Sequence, residues 1–368
     1  MNLSIIITFY KNINILYQCL YHLKNSLKAV DAPEIIIIND NPAYRLQNNN
    51  EIKKYFNEIL IIDNEENYGY AEACNIAINQ SRGDVIVLID CDIMVKGNWL
   101  TEMFNTLCLT KNVGGVSSII LNMENNTILH YGFATNKIDM IKPFFCRPIK
   151  DIIENIPQEL YVFPTLTSGC CMFKKDVYRQ VGGMDKQLYN GYCDLDFFYK
   201  INLAGHKNIL CRSAYVFHRG GVSEEVRTCV KTDTKALFCS RWGQSFHKEG
   251  LSILKTIYKH AFKHFTDKYI LYNFSCSLFS SDYINILLKT SNILQTYKVN
   301  VSNNKNIILE DLLSISVQNS KIPLIYFCDD YRQIINNYFW LSGRKGCNDL
   351  IVDRNGNVID CNDLVKKT

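Results

Sequence analysis

The chain has 368 residues, 47% of them hydrophobic and 21% charged, a balance that suits a globular protein of about two domains and speaks against disorder over most of its length. Forty Lys plus Arg against 36 Asp plus Glu leave a formal charge of +4, too small to make nucleic acid the partner. Fifteen cysteines, odd in number and many of them set in apolar runs with no CxxC pair, read as reduced, buried thiols and not as a disulfide framework or a zinc site.

The apolar stretch within Met1–Tyr10 is too short for a signal peptide and has no basic residues ahead of it. No apolar run reaches the roughly 18 residues of a membrane span, so the expectation is a cytoplasmic protein. In chain order, Leu3 to Ile7 reads as a strand, and Leu16, Cys19, Leu20, Leu23 and Leu27 recur at helical spacing over residues 13–27. Strands follow at 34–38, 59–62 and 84–89, with a helix over Tyr70 to Gln80 closed by Ser81-Arg82-Gly83. Runs of consecutive isoleucines suit strands covered by helices on both faces, so the first half reads as βαβ units around a parallel sheet. Further strands are expected at 116–121, 127–133, 167–173 and 208–217, with helices at 174–181 and about 194–203. From about residue 270 a small α+β appendage is expected, ending in a hairpin whose turn is Asn355-Gly356.

Such sheets bind ligands outside the carboxyl ends of their strands. The residues found there are Thr8-Phe9-Tyr10, Asn39-Asp40-Asn41, Asp63-Asn64 and Asp90-Cys91-Asp92. Asp90 and Asp92, two apart in extended backbone, leave on the same side, and such a pair can ligate Mg²⁺ or Mn²⁺ while leaving positions open for phosphate oxygens.

The series Asn67-Tyr68-Gly69-Tyr70-Ala71-Glu72-Ala73-Cys74-Asn75, Asp90-Cys91-Asp92, Gly97-Asn98-Trp99-Leu100, Ile128-Leu129-His130-Tyr131-Gly132, Ser168-Gly169-Cys170-Cys171-Met172, Val181-Gly182-Gly183-Met184-Asp185, Asp194-Leu195-Asp196 and His218-Arg219-Gly220-Gly221-Val222-Ser223 runs in order over residues 3 to about 223. It resembles the inverting nucleotide-sugar glycosyltransferases of family 2. The resemblance implies a GT-A fold, a mostly parallel sheet flanked by helices, in a catalytic domain over residues 1–245, with 246–368 as an extension for acceptor recognition or assembly. It implies a metal-dependent transfer of a sugar from a UDP- or dTDP-type donor to a hydroxyl of a saccharide, lipid-linked glycan or protein.

Carried over residue by residue, Thr8, Phe9, Tyr10 and Asp40 fall where the donor's nucleoside is contacted, Asp40 accepting the imino N–H of uracil or thymine. For Asp40 the alternative is an Asx turn leading into Pro42. Gly69, Asn75, Asp90 and Cys91 complete the donor set. Asp90 and Asp92 would hold the metal, Mn²⁺ or Mg²⁺, and His218 is a further ligand or a diphosphate contact. Asp194 falls at the catalytic base, with an N-cap role as its alternative and Asp196 as the reserve candidate. Two departures stand out. Cys193 replaces a Glu that many members carry before the base, and Cys74 replaces a basic residue, so a cation expected near the nucleotide is missing. The alternatives are a non-catalytic nucleotide-sugar or glycan-binding module and a sugar nucleotidyltransferase. Residues 247–268 alternate lysines with apolar residues. We read them as a surface helix packed on the catalytic domain, the alternative being contact with the inner face of an anionic membrane.

Overall fold

Four strands rich in isoleucine and valine form the centre of the first sheet: β1 (Leu3–Phe9), β2 (Glu34–Asn39), β3 (Leu60–Asp63) and β4 (Val85–Asp90). The computed structural model describes residues 2–27, 33–135, 140–152, 156–219, 233–275, 280–299, 322–338, 344 and 346–365. Gly220-Gly221-Val222-Ser223 of the last sequence motif lie outside these. The chain divides into two compact units, one of residues 1–133 and 146–246, the other of residues 134–145 and 247–368.

In the first unit β4, β1, β2 and β3 lie side by side and parallel. Ile5, Ile6, Ile7, Ile36, Ile37 and Ile38 are all fully buried, so alternate side chains fill both faces of the sheet. Three helices follow in this half of the chain, α1 (Ile13–Ser26), α2 (Tyr70–Gln80), which packs on β1 and β2, and α3 (Trp99–Leu109). The last of these is not anticipated from the sequence, yet Trp99, Leu100, Met103 and Leu107 are buried at helical spacing. Beyond β4 the sheet becomes mixed. After β5 (Ile93–Met94) come β6 (Val113–Asn122) and β7 (Ile128–His130), and later β10 (Val162–Phe163), β11 (Cys170–Lys174) and β12 (Lys207–His218). β11 runs antiparallel between β4 and β6, and β12 runs parallel to β6. The strand expected over 127–133 stops at His130 because Gly132 turns the chain with φ +76°, under the ring of Phe163. The helices α4 (Lys175–Gln180) and α5 (Cys193–Leu203) follow the sequence expectation closely. The described cysteines form no disulfide, and Cys19, Cys74, Cys91, Cys170, Cys171 and Cys193 are buried.

The second unit differs from the expected α+β appendage. A short pair, β8 (Ala134–Thr135) and β9 (Met140–Ile141), belongs to it, and its main sheet contains β13 (Tyr269–Asn273), β14 (Ile293–Lys298), β15 (Leu324–Cys328), β16 (Leu350–Asp353) and β17 (Val358–Asp360). Their order is β14-β13-β15-β16-β17, parallel except for the last, which is a doubly wound α/β arrangement. The reason lies in Leu324–Cys328 and Leu350–Asp353, which are buried without a break, as strands covered on both faces must be. Tyr283 of α7 (Ser280–Thr290) packs on Phe327 on one face, and Ile334 of α8 (Arg332–Tyr338) joins Tyr272, Tyr326 and Cys361 of α9 (Cys361–Val365) on the other. The Asn355-Gly356 hairpin joins β16 to β17 as anticipated.

The basic helix is corrected in two respects. It is part of α6 (Thr234–Phe262), which ends before Lys263 and Lys268. Its Leu254, Ile257, Tyr258 and Phe262 are buried, with Ile257 against Gly356 and the Tyr258 hydroxyl donating to the Asp353 carbonyl. This apolar side is thus covered by the second unit's own hairpin, and none of these four residues is left to enter a membrane. No helix among the described residues is long and apolar enough to cross one.

Within the second unit Arg344 and Asp349, each 1% exposed, form a two-pronged ion pair at 2.5 and 2.6 Å, and Asp349 also accepts the Leu324 N–H. Removing one partner strands a buried charge, which costs about 3–5 kcal/mol. Asp349→Ala is therefore expected to lower the stability of this unit by that amount in chemical denaturation followed by circular dichroism; an unchanged midpoint would contradict the pairing.

Candidate active site

Strand register sets the site. Thr8 pairs with Asp90, Phe9 with Asn39, and Asn39 with Asp63, so the carboxyl ends of four strands finish in one row. The Thr8 hydroxyl donates to Asp90 Oδ1 at 3.0 Å, and the Asp90 N–H donates to the Gly169 carbonyl at the start of β11. The buried Tyr70 hydroxyl faces the same carboxylate and Ser168. Burial first, and then the Asp92 carboxylate, push Asp90 up to about 6, against the hydrogen bond of Thr8.

Asp92 is turned toward β12. Its Oδ2 lies 3.2 Å from His218 Nε2, and the Arg219 N–H donates to its carbonyl. Asp92 and His218 thus meet although 126 positions separate them, because β5 pairs antiparallel with the end of β12. Among the described residues no group of three or more His, Cys, Asp or Glu side chains is placed to hold a metal ion. What exists is the Asp92–His218 pair with Asp90 beside it, two carboxylates and an imidazole. Cys91, between them, points its thiol into the hydrophobic core, so any donor contact it makes must come from its backbone. Phe9 likewise is 2% exposed, with the exposed Tyr44 ring edge-on to it, while Thr8 and Tyr10 are partly exposed.

Asp40 does not form the Asx turn considered for it. That task falls to Asn39 and Asn41, whose side-chain oxygens accept the N–H groups of Asn41 and Ala43. Asp40 instead holds the Asn64–Gly69 loop: Oδ1 accepts from Asn64 Nδ2 and the Tyr68 N–H, and Oδ2 from the Gly69 N–H, all within 2.9 Å. A carboxylate offers about four acceptor positions, so one remains on Oδ2. Its pKa is raised by burial, against these hydrogen bonds. Gly69 takes φ +82°, and a Cβ there would strike the ring of Tyr189 at 2.5 Å, so the turn requires glycine twice over. Asn75 is fully engaged, bonded to Glu72, Tyr178 and both backbone groups of Met184. It ties α2 to the Gly183-Met184 turn, which is a structural use of a residue expected in the donor set.

Sequence reasoning missed Tyr189 and Asn190. The first N–H groups of α2 lack a cap of their own; Asn190 Oδ1 accepts from Tyr70 at 2.7 Å and the Tyr189 carbonyl from Ala71 at 3.1 Å. The Tyr189 hydroxyl reaches back to Asn67. A cap supplied by a segment 120 positions away leaves no local signal.

That segment leads directly into α5. Its N-cap position is Tyr192, at φ 65°, and not Asp194. Asp194 lies in the first turn, half-buried, accepting the Ser168 N–H at 3.2 Å and the Leu195 N–H at 2.9 Å. Ser168 is also faced by the Tyr70 hydroxyl, so Asp194 and Asp90 flank the same short stretch before β11. Asp196 is unavailable as the reserve base. It is fully buried and holds Lys200 at 3.0 Å and the Trp242 indole N–H at 2.8 Å. Cys74 and Cys193 are both buried and close enough to influence each other and Asp194, and burial pushes both thiols well up.

Residues 4–182 match the family model described as Glycosyl transferase family 2. An uncharacterized protein of Sinorhizobium fredii, y4gI, is 22% identical over 177 residues, 45% of this chain and 18% of the relative's length. A crystal structure of GalNAc-T7 with UDP, GalNAc and Mn²⁺ is similar in fold, with a TM-score of 0.51 and 18% identity over 60% of this chain and 44% of that one. A mannosyltransferase of Pyrobaculum calidifontis, PcManGT, in complex with GDP-Man and Mn²⁺ gives 0.47 at 13% identity over 69% and 74%. The chain therefore spans under half the length of the first of these structures and under a fifth of the curated relative. Residues 4–182 thus match glycosyl transferase family 2, in a unit with the GT-A fold.

Proposed function

We propose that the first unit transfers a sugar, with inversion, from a UDP- or dTDP-type donor to a hydroxyl of a saccharide, lipid-linked glycan or protein. The observation that carries this reading is that Asp194 and Asp90 flank Ser168-Gly169 from two sides, with Asp92 and His218 paired beside Asp90. One side of the site offers anionic and imidazole ligands, the other a half-buried carboxylate whose helix faces the same edge.

Carboxylate oxygens with one imidazole are donors of the kind a hard divalent cation such as Mn²⁺ or Mg²⁺ takes. Asp90 and Asp92 supply oxygens, and His218 Nε2 already lies against Asp92, a contact that a shared cation would replace. Asp90 is raised first by burial and then by the Asp92 carboxylate, and a cation at these groups would offset both. When bound, such an ion would neutralise the donor's diphosphate and the charge that grows on it as the glycosidic bond breaks. The remaining work belongs to the chain. Asp40 keeps one acceptor position on Oδ2, which suits the imino N–H of a uracil or thymine, and it fixes the turn that leads into α2. Asp194 takes the proton from the acceptor hydroxyl as its oxygen attacks the anomeric carbon, while the electron pair of the breaking bond leaves with the nucleoside diphosphate on the opposite face. GalNAc-T7, with UDP and Mn²⁺ in its crystal structure, makes a UDP-sugar the first donor to try.

The test is a panel of nucleotide sugars with Mn²⁺ or Mg²⁺, following released nucleoside diphosphate. Asp194→Asn is expected to lower turnover by about 100-fold or more, with donor affinity within about twofold of the parent, because general-base catalysis supplies a factor of roughly 10²–10⁴. Asp92→Ala should abolish the Mn²⁺-dependent part of UDP binding in calorimetry. Full transfer by both variants would sink the assignment, and UDP binding without turnover of any donor would favour a binding module. Asp40→Ala, which frees the Asn64–Gly69 loop of three hydrogen bonds, should weaken UDP binding about tenfold or more and speed amide exchange at Tyr68 and Gly69.

A further inference from the structure

We propose that Arg241 and Trp242, at the head of α6, are positioning residues for transfer: they pin both ends of residues 185–196 and hold Asp194 at the edge through the buried Asp196. The inference rests on Asp194 being the base.

The segment has two tasks. Its middle, Tyr189-Asn190, caps α2, and its end is the first turn of α5, which carries Asp194. It crosses from one to the other through Tyr189 and Tyr192, the latter in the left-handed region, where the chain has no regular hydrogen-bond ladder to hold it. Arg241 supplies a restraint from outside. One arm of its guanidinium pairs with Asp185, the other bonds Gln187 Oε1 at 3.0 Å, and Asp196 Oδ1 lies 3.6 Å away. Both ends of the segment are therefore gripped by one planar group, a geometry that lysine cannot reproduce.

Asp196 is the other half of the device. A fully buried carboxylate survives only if paired, and its partners come from two directions: Lys200 one turn on, itself anchored to the Gly183 carbonyl at 2.7 Å, and the Trp242 indole N–H. Trp242 also lies edge-on to Tyr199 at 5.2 Å, and Phe238 packs on Tyr192 at 5.3 Å. These contacts fix how far the first turn of α5 can rotate or slide. Neither Arg241 nor Trp242 is seen to touch Asp194, so they act through the helix. A base displaced by about 1 Å loses about 100-fold in rate.

The experiment uses the full chain and the best donor from the panel above, with rates expressed per UDP-binding site measured by calorimetry. Trp242→Phe, which keeps the ring and removes the N–H, and Arg241→Lys, which keeps the charge and removes the fork, are each expected to lower kcat about 10- to 100-fold with donor KM within about threefold. A purely structural role would lower the number of UDP-binding sites and leave kcat per site unchanged, and that result overturns the proposal. If Trp242→Phe does not fold, Arg241→Lys decides alone, since that side chain is partly exposed. Asp194→Asn is run in parallel. Parental turnover in that variant removes the base reading itself, whereas an inactive Asp194→Asn beside unimpaired Arg241→Lys and Trp242→Phe removes only the positioning role.

Discussion

The parallel register of β1 against β4 and β2 is the constraint on which the first unit depends. Isoleucines and valines fill both faces, so a one-residue shift would send each side chain to the opposite face and break its fit with the helices packed there. With the register fixed, Thr8 must stand opposite Asp90 and Phe9 opposite Asn39, and the polar residues that follow each strand are delivered together. The chemistry of the edge is thus a by-product of core packing, which is why strands of such low individuality can carry a site.

The edge then faces an electrostatic problem, since it gathers carboxylates that the core would rather exclude. Each is solved differently. Asp40 is held by a side-chain amide and two backbone N–H groups, Asp92 by an imidazole, and Asp196 by an ammonium and an indole N–H. For Asp90, burial first and then the nearby Asp92 carboxylate raise the pKa to about 6, against the hydrogen bond from the Thr8 hydroxyl. Asp90 lies at the centre of the proposed cation site, whereas Asp196, paired with Lys200 and the Trp242 indole, lies outside it. Compensation sorts the acids into those that organise the structure and those still seeking a partner.

Much of this was legible in the sequence. The isoleucine runs located the central strands, helical spacing located α1 and α2, and the turn residues around Asn355-Gly356 located the final hairpin. The second sheet was not legible, because a five-residue apolar run such as Leu324–Cys328 does not say whether its neighbours run parallel. Candidate residues fared unevenly for a similar reason. A motif names a position but not the direction of its side chain, so Cys91 and Asn75 turned out to serve the core and a helix tie. Tyr189, Asn190, Arg241 and Trp242 act across large sequence separations, and nothing in their immediate surroundings marks them.

The two cysteines that depart from the family pattern become intelligible once their places are known. Positions 74 and 193 are buried, 0% and 3% exposed, and near enough to act on each other. A basic side chain at one and a carboxylate at the other would each need the other as partner, since a lone buried charge costs several kcal/mol, about 3–5 by mutational measure. Losing either alone would be damaging, whereas replacing both by thiols leaves a small apolar contact with no charge to satisfy. A cation at position 74 would therefore stand in the interior, and not at the strand-end edge where Asp90, Asp92 and His218 lie.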